Sequence, residues 1–307
     1  MTADLCANHV GCERPAPTGD NVAAVVVTYR PDPGVTARLA EIASQFARVI
    51  VVDNHSDDEI LAILREFAAG GDNVDLVANA ENVGVAAALN QGCRRAEEQG
   101  AAWVVLFDQD SLPAADLLFC LAAEWDRHPE RDRIALVGVN FRTASGRTLL
   151  REGTGLADAR TVITSGSLLK LAAWREVGPF REDFFIDEVD HEYALRLRRQ
   201  GWQVKVTRRV LLDHDLGSPR RRQAWQPIVS HHSAVRRYYM VRNRFLLARE
   251  HVGVDPRFVC GQLARSLRES ATILLFEPDK KAKLRAMSLG LLDGIRGRAG
   301  RASWHSA

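Results

Sequence analysis

The sequence lacks the features that place a chain in a membrane or stabilise it through disulfides. It has five cysteines in 307 residues, and an odd number in a chain of this size favours free thiols in a reducing compartment. It has no run of about 18 apolar residues, the length that a membrane-spanning helix needs. Its first residues do not follow the basic-then-apolar layout of a signal peptide. We therefore expect a cytoplasmic protein without a spanning helix.

The glycine loops of the common nucleotide-binding enzymes are also missing. The turn after the first apolar segment reads TYRPDPG, which contains neither a Walker loop nor GxGxxG. This excludes a kinase-like NTPase and a dinucleotide-dependent oxidoreductase of the usual types. The chain also lacks a basic patch interleaved with aromatic side chains, so we expect no nucleic-acid partner.

The first half of the chain alternates short apolar runs with amphipathic segments. We predict strands at Val22–Tyr29, Val49–Asn54, Asn73–Ala78 and Trp103–Phe107, and helices at Val35–Phe46, Asp57–Ala69, Gly84–Gln99 and Pro113–Trp125. Such alternation is typical of right-handed βαβ units and a mostly parallel sheet flanked by helices. The second half is less regular, with strands predicted at Ile134–Phe141, Thr148–Glu152, Val162–Thr164, Trp202–Val206 and Val210–Asp213, and a helix at Asp187–Gln200.

Charge divides the chain in two. Residues 1–214 carry a net charge of −9 and residues 215–307 a net charge of +11, although the whole chain carries only +2. We expect a disordered tail at 1–20, an α/β domain at 21–217 and a basic helical region at 218–307. The basic helices could contact an anionic membrane surface or a phosphorylated acceptor, could form an oligomer, or could simply be solvated.

The segment Val104–Ser111, which ends in VLFDQDS, places two carboxylates at the end of a predicted strand. Asp108 and Asp110 are separated by one residue, an arrangement that is costly without a cation. Ligands bind at the carboxyl ends of strands in open α/β sheets, which favours a metal–diphosphate site here. The alternative is that Asp110 or Ser111 caps a helix that begins at Pro113.

Three other positions have both a binding and a structural interpretation. Asp53 ends the second predicted strand and could accept a hydrogen bond from the N3–H of uracil or thymine, or could cap the following turn. Asn82, before a run of small residues, could bind a base or ribose, or could cap the third helix. Gly166 could let the backbone approach a sugar closely, or could mark a bulge.

Phe184–Trp202 carries four acids around the start of a predicted helix. Acids are favoured there by the helix dipole, so part of this pattern reflects stability. Asp187 and Asp190 are three residues apart and would share one helix face, where a carboxylate could deprotonate an attacking hydroxyl. His214, after a short predicted strand, could bind a metal or be structural.

The motifs taken together resemble those of family 2 inverting glycosyltransferases with the GT-A fold. They cover Val22 to about Gly217, and with the later segment RRYYMVRNRFLL they are most similar to bacterial rhamnosyltransferases of surface-polysaccharide synthesis. The motifs occur in the order VVVTYRPDPG, VVDNHS, NVGVAAALNQG, VLFDQDS, ITSGSLL, FFIDEVDHEYALRLRRQGW and LLDH.

The resemblance implies a role for each matching residue. Asp190 would be the catalytic base, although the glutamate often found before it is Val189 here, so Asp187 could share its work. Asp110 and His214 would hold Mg²⁺ or Mn²⁺. The nucleotide would be bound by Thr28, Tyr29, Asp53, Asn82 and Asp108, and the donor or acceptor sugar by Gly166, Asp187 and Glu192.

The implied reaction is a metal-dependent single displacement that inverts the anomeric carbon. We expect L-rhamnose to be transferred from dTDP-L-rhamnose to a glycan or a polyprenyl-diphosphate-linked acceptor. A UDP-hexose or UDP-galactofuranose transferase of the same family is an open alternative. Alternatives of other classes are a sugar-nucleotide nucleotidyltransferase, which the TYRPDPG turn disfavours, and a non-catalytic sugar-nucleotide binder.

Overall fold

A computed structural model describes residues 15–143, 146, 148–213 and 232–302. One mixed sheet of nine strands forms its centre, in the order β3-β2-β1-β4-β8-β6-β9-β5, with β7 beside β9. The strands are β1 Val22–Thr28, β2 Val49–Asp53, β3 Val74–Ala78, β4 Trp103–Asp108, β5 Leu112–Pro113, β6 Ile134–Arg142, β7 Leu156–Asp158, β8 Ser167–Lys170 and β9 Gln203–Asp213.

The first four strands are parallel, as the alternation predicts. β1, β2 and β4 are valine-rich and almost fully buried, because helices cover both faces of the sheet. The helices of this half are α1 Val35–Ala43, α2 Asp58–Ala69, α3 Val85–Glu98 and α4 Leu117–Asp126. The predicted α/β fold class is therefore confirmed.

In the second half of the sheet the direction of one strand reverses. β8 runs antiparallel to both β4 and β6, so β6 has the same direction as β4, and β9 is parallel to β6. The carboxyl ends of β1, β2, β4, β6 and β9 consequently meet at one edge of the sheet. This is the edge at which such sheets bind ligands.

Several predicted boundaries are wrong. Pro113 does not begin a helix: Leu112 and Pro113 pair with β9 as an edge strand, and α4 begins only at Leu117. The capping alternative for Asp110 and Ser111 therefore fails. The described parts of Thr148–Glu152 and Val162–Thr164 form no named strand; Val162 instead fills the space above Gly138. The two strands predicted at Trp202–Val206 and Val210–Asp213 are one strand, β9, which continues through the polar residues 207–209. The register between β6 and β9 shifts at this point.

Residues 15–20, which we expected to be disordered, contact the start of the sheet. The Trp103 indole donates a hydrogen bond to the Pro15 carbonyl at 2.8 Å, and Pro17 is buried. The Arg48 guanidinium donates to the Asp20 carbonyl at 2.5 Å. These contacts give the segment partners that its polar composition does not reveal.

The remaining helices are α5 Leu171–Val177, α6 Val189–Arg199, α7 Ala234–His251, α8 Pro256–Phe276 and α9 Lys280–Arg296. The expected helices of the basic region are confirmed as α7, α8 and α9. α7 and α9 pack closely because Gly290 and Gly294 lack side chains; a Cβ at Gly290 would lie 2.4 Å from the Tyr238 carbonyl oxygen. Each helix that the structure describes is too short or too polar to cross a bilayer. Cys93, Cys120 and Cys260 are free thiols, as expected.

Candidate active site at the carboxyl edge of the sheet

The ends of β1 and β2 are joined by the Asp53 carboxylate, which is 1% exposed. Its Oδ1 accepts hydrogen bonds from the hydroxyls of Thr28 at 2.9 Å and Ser56 at 2.6 Å, and its Oδ2 accepts one from the Ser56 N–H at 2.9 Å. Asp53 thus closes the turn after β2, while a carboxylate oxygen that accepts one bond can accept a second. Ser56 thus bonds to Asp53, and the helix that follows, α2, is capped by Asp57.

The turn after β1 is fastened to the Asp108–Asp110 segment. The Tyr29 N–H donates to Gln109 Oε1 at 2.7 Å, and Arg38 Nε donates to the Gln109 carbonyl at 2.8 Å. Gln109, to which the motif assigns no role, therefore holds the two candidate metal carboxylates against the expected nucleotide-binding turn. The Tyr29 side chain is 41% exposed at this edge.

Asn82 closes the turn before α3. Its Oδ1 accepts from Asn54 Nδ2 at 3.0 Å and from the Gly84 N–H at 2.9 Å, but α3 has Gly84 as its N-cap and no side-chain cap, so Asn82 does not cap the helix. Gly84 has φ +88°, and a Cβ there would lie 2.7 Å from Phe185. The start of α3 thereby contacts the loop that precedes α6, and the Val85 N–H donates to the Phe185 carbonyl at 2.8 Å.

Asp108, Asp110 and Asp190 form an acidic cluster. Burial, together with the negative charges of Asp110 and Asp190, raises the pKa of Asp108 to about 7. The Asp108 N–H donates to the Ser111 hydroxyl, which in turn hydrogen-bonds Ser165, so the end of β4 is rigidly held. Carboxylates that repel one another at a partly exposed edge are a donor set that suits Mg²⁺ or Mn²⁺. The residues present therefore fit the expected metal, although His214 lies outside the described residues.

Asp190 stands in the first turn of α6 and is accessible to a reactant. Its side chain is 26% exposed, and its Oδ1 accepts one hydrogen bond, from the His191 N–H at 2.8 Å. It lines a small cavity with Leu106, Thr164 and Ser167. These properties suit a carboxylate that accepts a proton from an incoming hydroxyl.

Asp187 does not share a helix face with Asp190, contrary to our expectation. α6 begins only at Val189, because Asp187 and Glu188 have φ values of +64° and +63°. The Asp187 carboxylate is 15% exposed and bound by Arg236, whose Nε and Nη2 lie 3.0 to 3.2 Å from its oxygens. Both oxygens of Asp187 are already engaged by a guanidinium, whereas Asp190 has a more exposed carboxylate, which leaves Asp190 as the better candidate.

Glu192 does not fit the expected contact with a sugar. Its side chain is 1% exposed and forms an ion pair with Arg196 at 3.0 Å. Its carboxylate also lies 3.6 Å from the buried His251 Nε2, in a cluster that includes the exposed Glu250. Glu192 therefore joins α6 to α7 rather than lining the edge of the sheet.

Gly166 has a structural reason to be glycine. Its φ is +76°, and a Cβ would lie 2.7 Å from a methyl carbon of Val139. Its N–H donates to the Leu106 carbonyl at 2.7 Å. These contacts favour the bulge-like alternative, with Gly166 supporting the Ser165–Ser111 contact behind Asp108.

The sequence reasoning missed a set of α7 side chains that hold the loop 183–188. Asn243 Nδ2 donates to the carbonyls of Phe184, Ile186 and Asp187 at 2.8 to 2.9 Å. Arg242 donates to the carbonyls of Asp183 and Phe184, and Arg244 Nε pairs with Glu188 at 2.9 Å. The loop needs such support because Phe185, Asp187 and Glu188 all have positive φ.

A signal for these residues existed in the sequence. Arg242 and Arg249 fall within the apolar arc of α7, where a cation needs a partner. Arg242 donates to backbone carbonyls, and Arg249 donates to the Ile295 carbonyl at 3.1 Å. A cation on the apolar face of a helix can thus indicate a loop whose carbonyl groups need donors.

Comparisons with known proteins agree with this geometry. The family model for glycosyl transferase family 2 matches residues 23–161. The dTDP-rhamnosyl transferase RfbF of Shigella flexneri is 30% identical over 295 residues, which cover 91% of this chain and 97% of RfbF. The chain belongs to glycosyl transferase family 2. It is a glycosyltransferase, and its fold is of the GT-A type.

Solved structures support the fold of this family 2 glycosyltransferase. S. aureus TarS 1–349 superimposes with a TM-score of 0.60 at 17% identity, over 91% of this chain and 82% of that structure. The mannosyltransferase PcManGT from Pyrobaculum calidifontis, solved with GDP-Man and Mn²⁺, gives a TM-score of 0.55 at 16% identity, over 92% of this chain and 90% of PcManGT.

Proposed function

We propose that this glycosyltransferase transfers L-rhamnose from dTDP-L-rhamnose to a hydroxyl group of a glycan or of a polyprenyl-diphosphate-linked acceptor, in the synthesis of a surface polysaccharide. The observation that carries the reaction is the cluster of Asp108 and Asp110 beside the accessible Asp190. The donor is supported by the similarity to RfbF, a dTDP-rhamnosyl transferase, over nearly the whole of both chains.

The arrangement supports a single displacement with Asp190 as the base. Asp190 accepts the proton of the acceptor hydroxyl, whose oxygen then bonds to the anomeric carbon on the face opposite the nucleotide. The bond between that carbon and the diphosphate oxygen breaks, and its electron pair leaves with the nucleotide. The anomeric configuration is inverted without a covalent enzyme intermediate.

Asp110, Asp108 and His214 are the residues that would hold Mg²⁺ or Mn²⁺. When bound, the ion would supply positive charge to the diphosphate. In PcManGT and in GalNAc-T7, solved structures with a related fold, Mn²⁺ is present together with a nucleotide or nucleotide sugar. For the base, we propose Asp53 as the acceptor for thymine N3–H, with Thr28, Tyr29 and Asn82 shaping the pocket around it.

A donor panel tests the proposal. Purified protein with Mg²⁺ or Mn²⁺ is titrated with dTDP-rhamnose, UDP-galactose, UDP-N-acetylglucosamine and GDP-mannose, following binding and slow hydrolysis. We expect metal-dependent binding of dTDP-rhamnose above the others. Preference for a UDP-sugar would reject rhamnosyl transfer while leaving the mechanism intact, and binding of none by folded protein would favour a non-catalytic relative.

We also propose that the protein works at the cytoplasmic face of a membrane, attached through α9. One exposed face of α9 carries both cations and apolar side chains: Lys281, Arg285, Leu289, Leu292, Ile295 and Arg296. Apolar side chains flanked by cations suit an anionic bilayer surface. Lys283, also basic, is excluded because it is buried against Glu277 at 2.9 Å.

Vesicle flotation tests this attachment. The protein should float with vesicles that contain anionic lipid, and less with neutral ones. The double variant Lys281→Glu/Arg285→Glu should stay at the bottom of the gradient. Equal flotation of the wild type and the variant would reject α9 as the contact.

A further inference from the structure

The first turn of α7 breaks a rule of helix energetics. Ser233 caps the helix by accepting a hydrogen bond from the Arg236 N–H, and the turn contains Arg236 and Arg237 but no acid. Cations at a helix N-terminus oppose the helix dipole. A local rule that is broken without compensation is expected at functional sites.

Arg237 is fully compensated. It is buried, and its guanidinium pairs with Glu277 at 2.7 Å and lies 3.4 Å from Glu269. Its unfavourable position is thereby offset within the helical region. Arg236 differs, because its partner lies in the active site and its side chain is 45% exposed.

Arg236 spans the acidic edge of the sheet. Its Nε and Nη2 hold the Asp187 carboxylate, so its guanidinium has a defined orientation. Its positive charge also acts on Asp108 and Asp110. A cation that is oriented by one carboxylate and is exposed on its other side is preorganised for a second anion.

We propose that Arg236 binds the terminal phosphate of the donor's diphosphate, with Asp187 as its positioning residue. This deepens the proposed function, and it requires only that the donor is a nucleoside-diphosphate sugar. The contact is assigned to the terminal phosphate because the charge of Arg236 acts on Asp108 and Asp110 after β4, whereas Asp53, which would bind the nucleobase, ends β2, two strands away. When the bond to the anomeric carbon breaks, the new negative charge on the diphosphate oxygen is stabilised by Arg236.

Four variants test this proposal. Arg236→Ala removes the cation, and Asp187→Asn removes its positioning partner. Arg236→Lys keeps the positive charge but loses the planar set of guanidinium N–H donors. Arg95→Ala is the matched control, because Arg95 is 46% exposed and pairs with Asp75 on the other side of the domain. Affinities for dTDP and dTMP are measured by calorimetry with Mg²⁺, beside kcat and the thermal midpoint. If the wild type prefers UDP, the same comparison uses UDP and UMP, so a wrong donor does not decide the outcome.

We expect Arg236→Ala to weaken dTDP binding by about 10- to 100-fold and dTMP binding much less, since a charged hydrogen bond to the terminal phosphate is lost. Arg236→Lys should recover part of this loss, and Asp187→Asn should weaken dTDP binding less than Arg236→Ala does, because Arg236 keeps its charge and loses only its fixed orientation. Arg95→Ala should change neither affinity. Equal losses for dTDP and dTMP would overturn the proposal. So would an Asp187→Asn variant that loses as much dTDP affinity as Arg236→Ala, because Arg236 would then act only through the loop.

Discussion

Replacing Asn243 by alanine should slow catalysis more than it weakens donor binding. The single amide of Asn243 donates to three carbonyls of the loop that precedes Asp190. The amide has only two N–H groups, which the three carbonyls share, and a neutral hydrogen bond contributes about 0.5–1.5 kcal/mol net, so the loss amounts to about 1–3 kcal/mol. Domains of ordinary stability have about 5–15 kcal/mol, so the variant should fold.

The loop should then leave its strained conformation. Phe185, Asp187 and Glu188 have positive φ, and each such residue costs about 1 kcal/mol or more. Without the amide to hold the carbonyls, the loop can relax and carry Asp190 away from the reacting hydroxyl. A displacement of about 1 Å can lower a rate by about 100-fold, so we expect kcat to fall about 10- to 100-fold.

The assay pairs urea unfolding with initial rates at saturating donor. Asn73→Ala is the control. Asn73 Nδ2 also donates to two carbonyls, those of Ala43 and Phe46, but Asn73 lies at the amino end of β3, away from the carboxyl edge of the sheet. That variant should lose stability and keep its kcat. An Asn243→Ala variant with reduced stability and unchanged kcat would refute the reasoning, and so would a change confined to KM.

Other perturbations have equally defined outcomes. Asp190→Asn should lower kcat by about 10²- to 10⁴-fold, the usual contribution of a general base, while dTDP affinity measured by calorimetry changes little; a variant with near-normal kcat would move the base elsewhere. Mg²⁺ at 100 times its Kd should add about 2.7 kcal/mol to the stability of the wild type, and Asp110→Asn should lose this gain in urea unfolding; an unchanged gain would exclude Asp110 as a ligand. Burial and the charges of Arg236 and Arg237 lower the pKa of His232 from 6.5 to about 4. Between these pH values the unfolded chain binds more protons than the folded one, so the stability should fall as the pH drops from 6.5 to 4. His232→Phe should flatten this dependence in unfolding curves at pH 4.5 and 7.

The first half of the fold was predictable because its strands are buried on both faces. Continuous runs such as VAAVVVT have one stable location in an α/β protein, the centre of the sheet. Once the strands were placed, the polar residues at their ends had to meet at one edge. For this reason Asp53 and Asp108 were found without any structural knowledge.

The loop before α6 was not predictable from local pattern. Acids near a helix start suggested that α6 begins at Asp187, yet Asp187 and Glu188 both adopt positive φ, which is uncommon for residues other than glycine. The conformation is imposed by donors on α7 more than fifty residues later in the sequence. No local propensity contains that information, and the ion pair between Asp187 and Arg236 was missed for the same reason.

The opposite charges of the two halves acquire a different meaning from the structure. We expected the basic region to seek an external anion, and α9 retains a face for that purpose. Other basic residues, however, face the acidic domain itself: Arg236 pairs with Asp187, and Arg244 with Glu188. The buried carboxylate of Glu188 and the largely buried one of Asp187 both lie in the loop that precedes Asp190, and both take their counter-charges from α7. The helical region therefore supports this loop, and the boundary that we predicted at residue 217 marks a change of charge across which the two parts remain in contact.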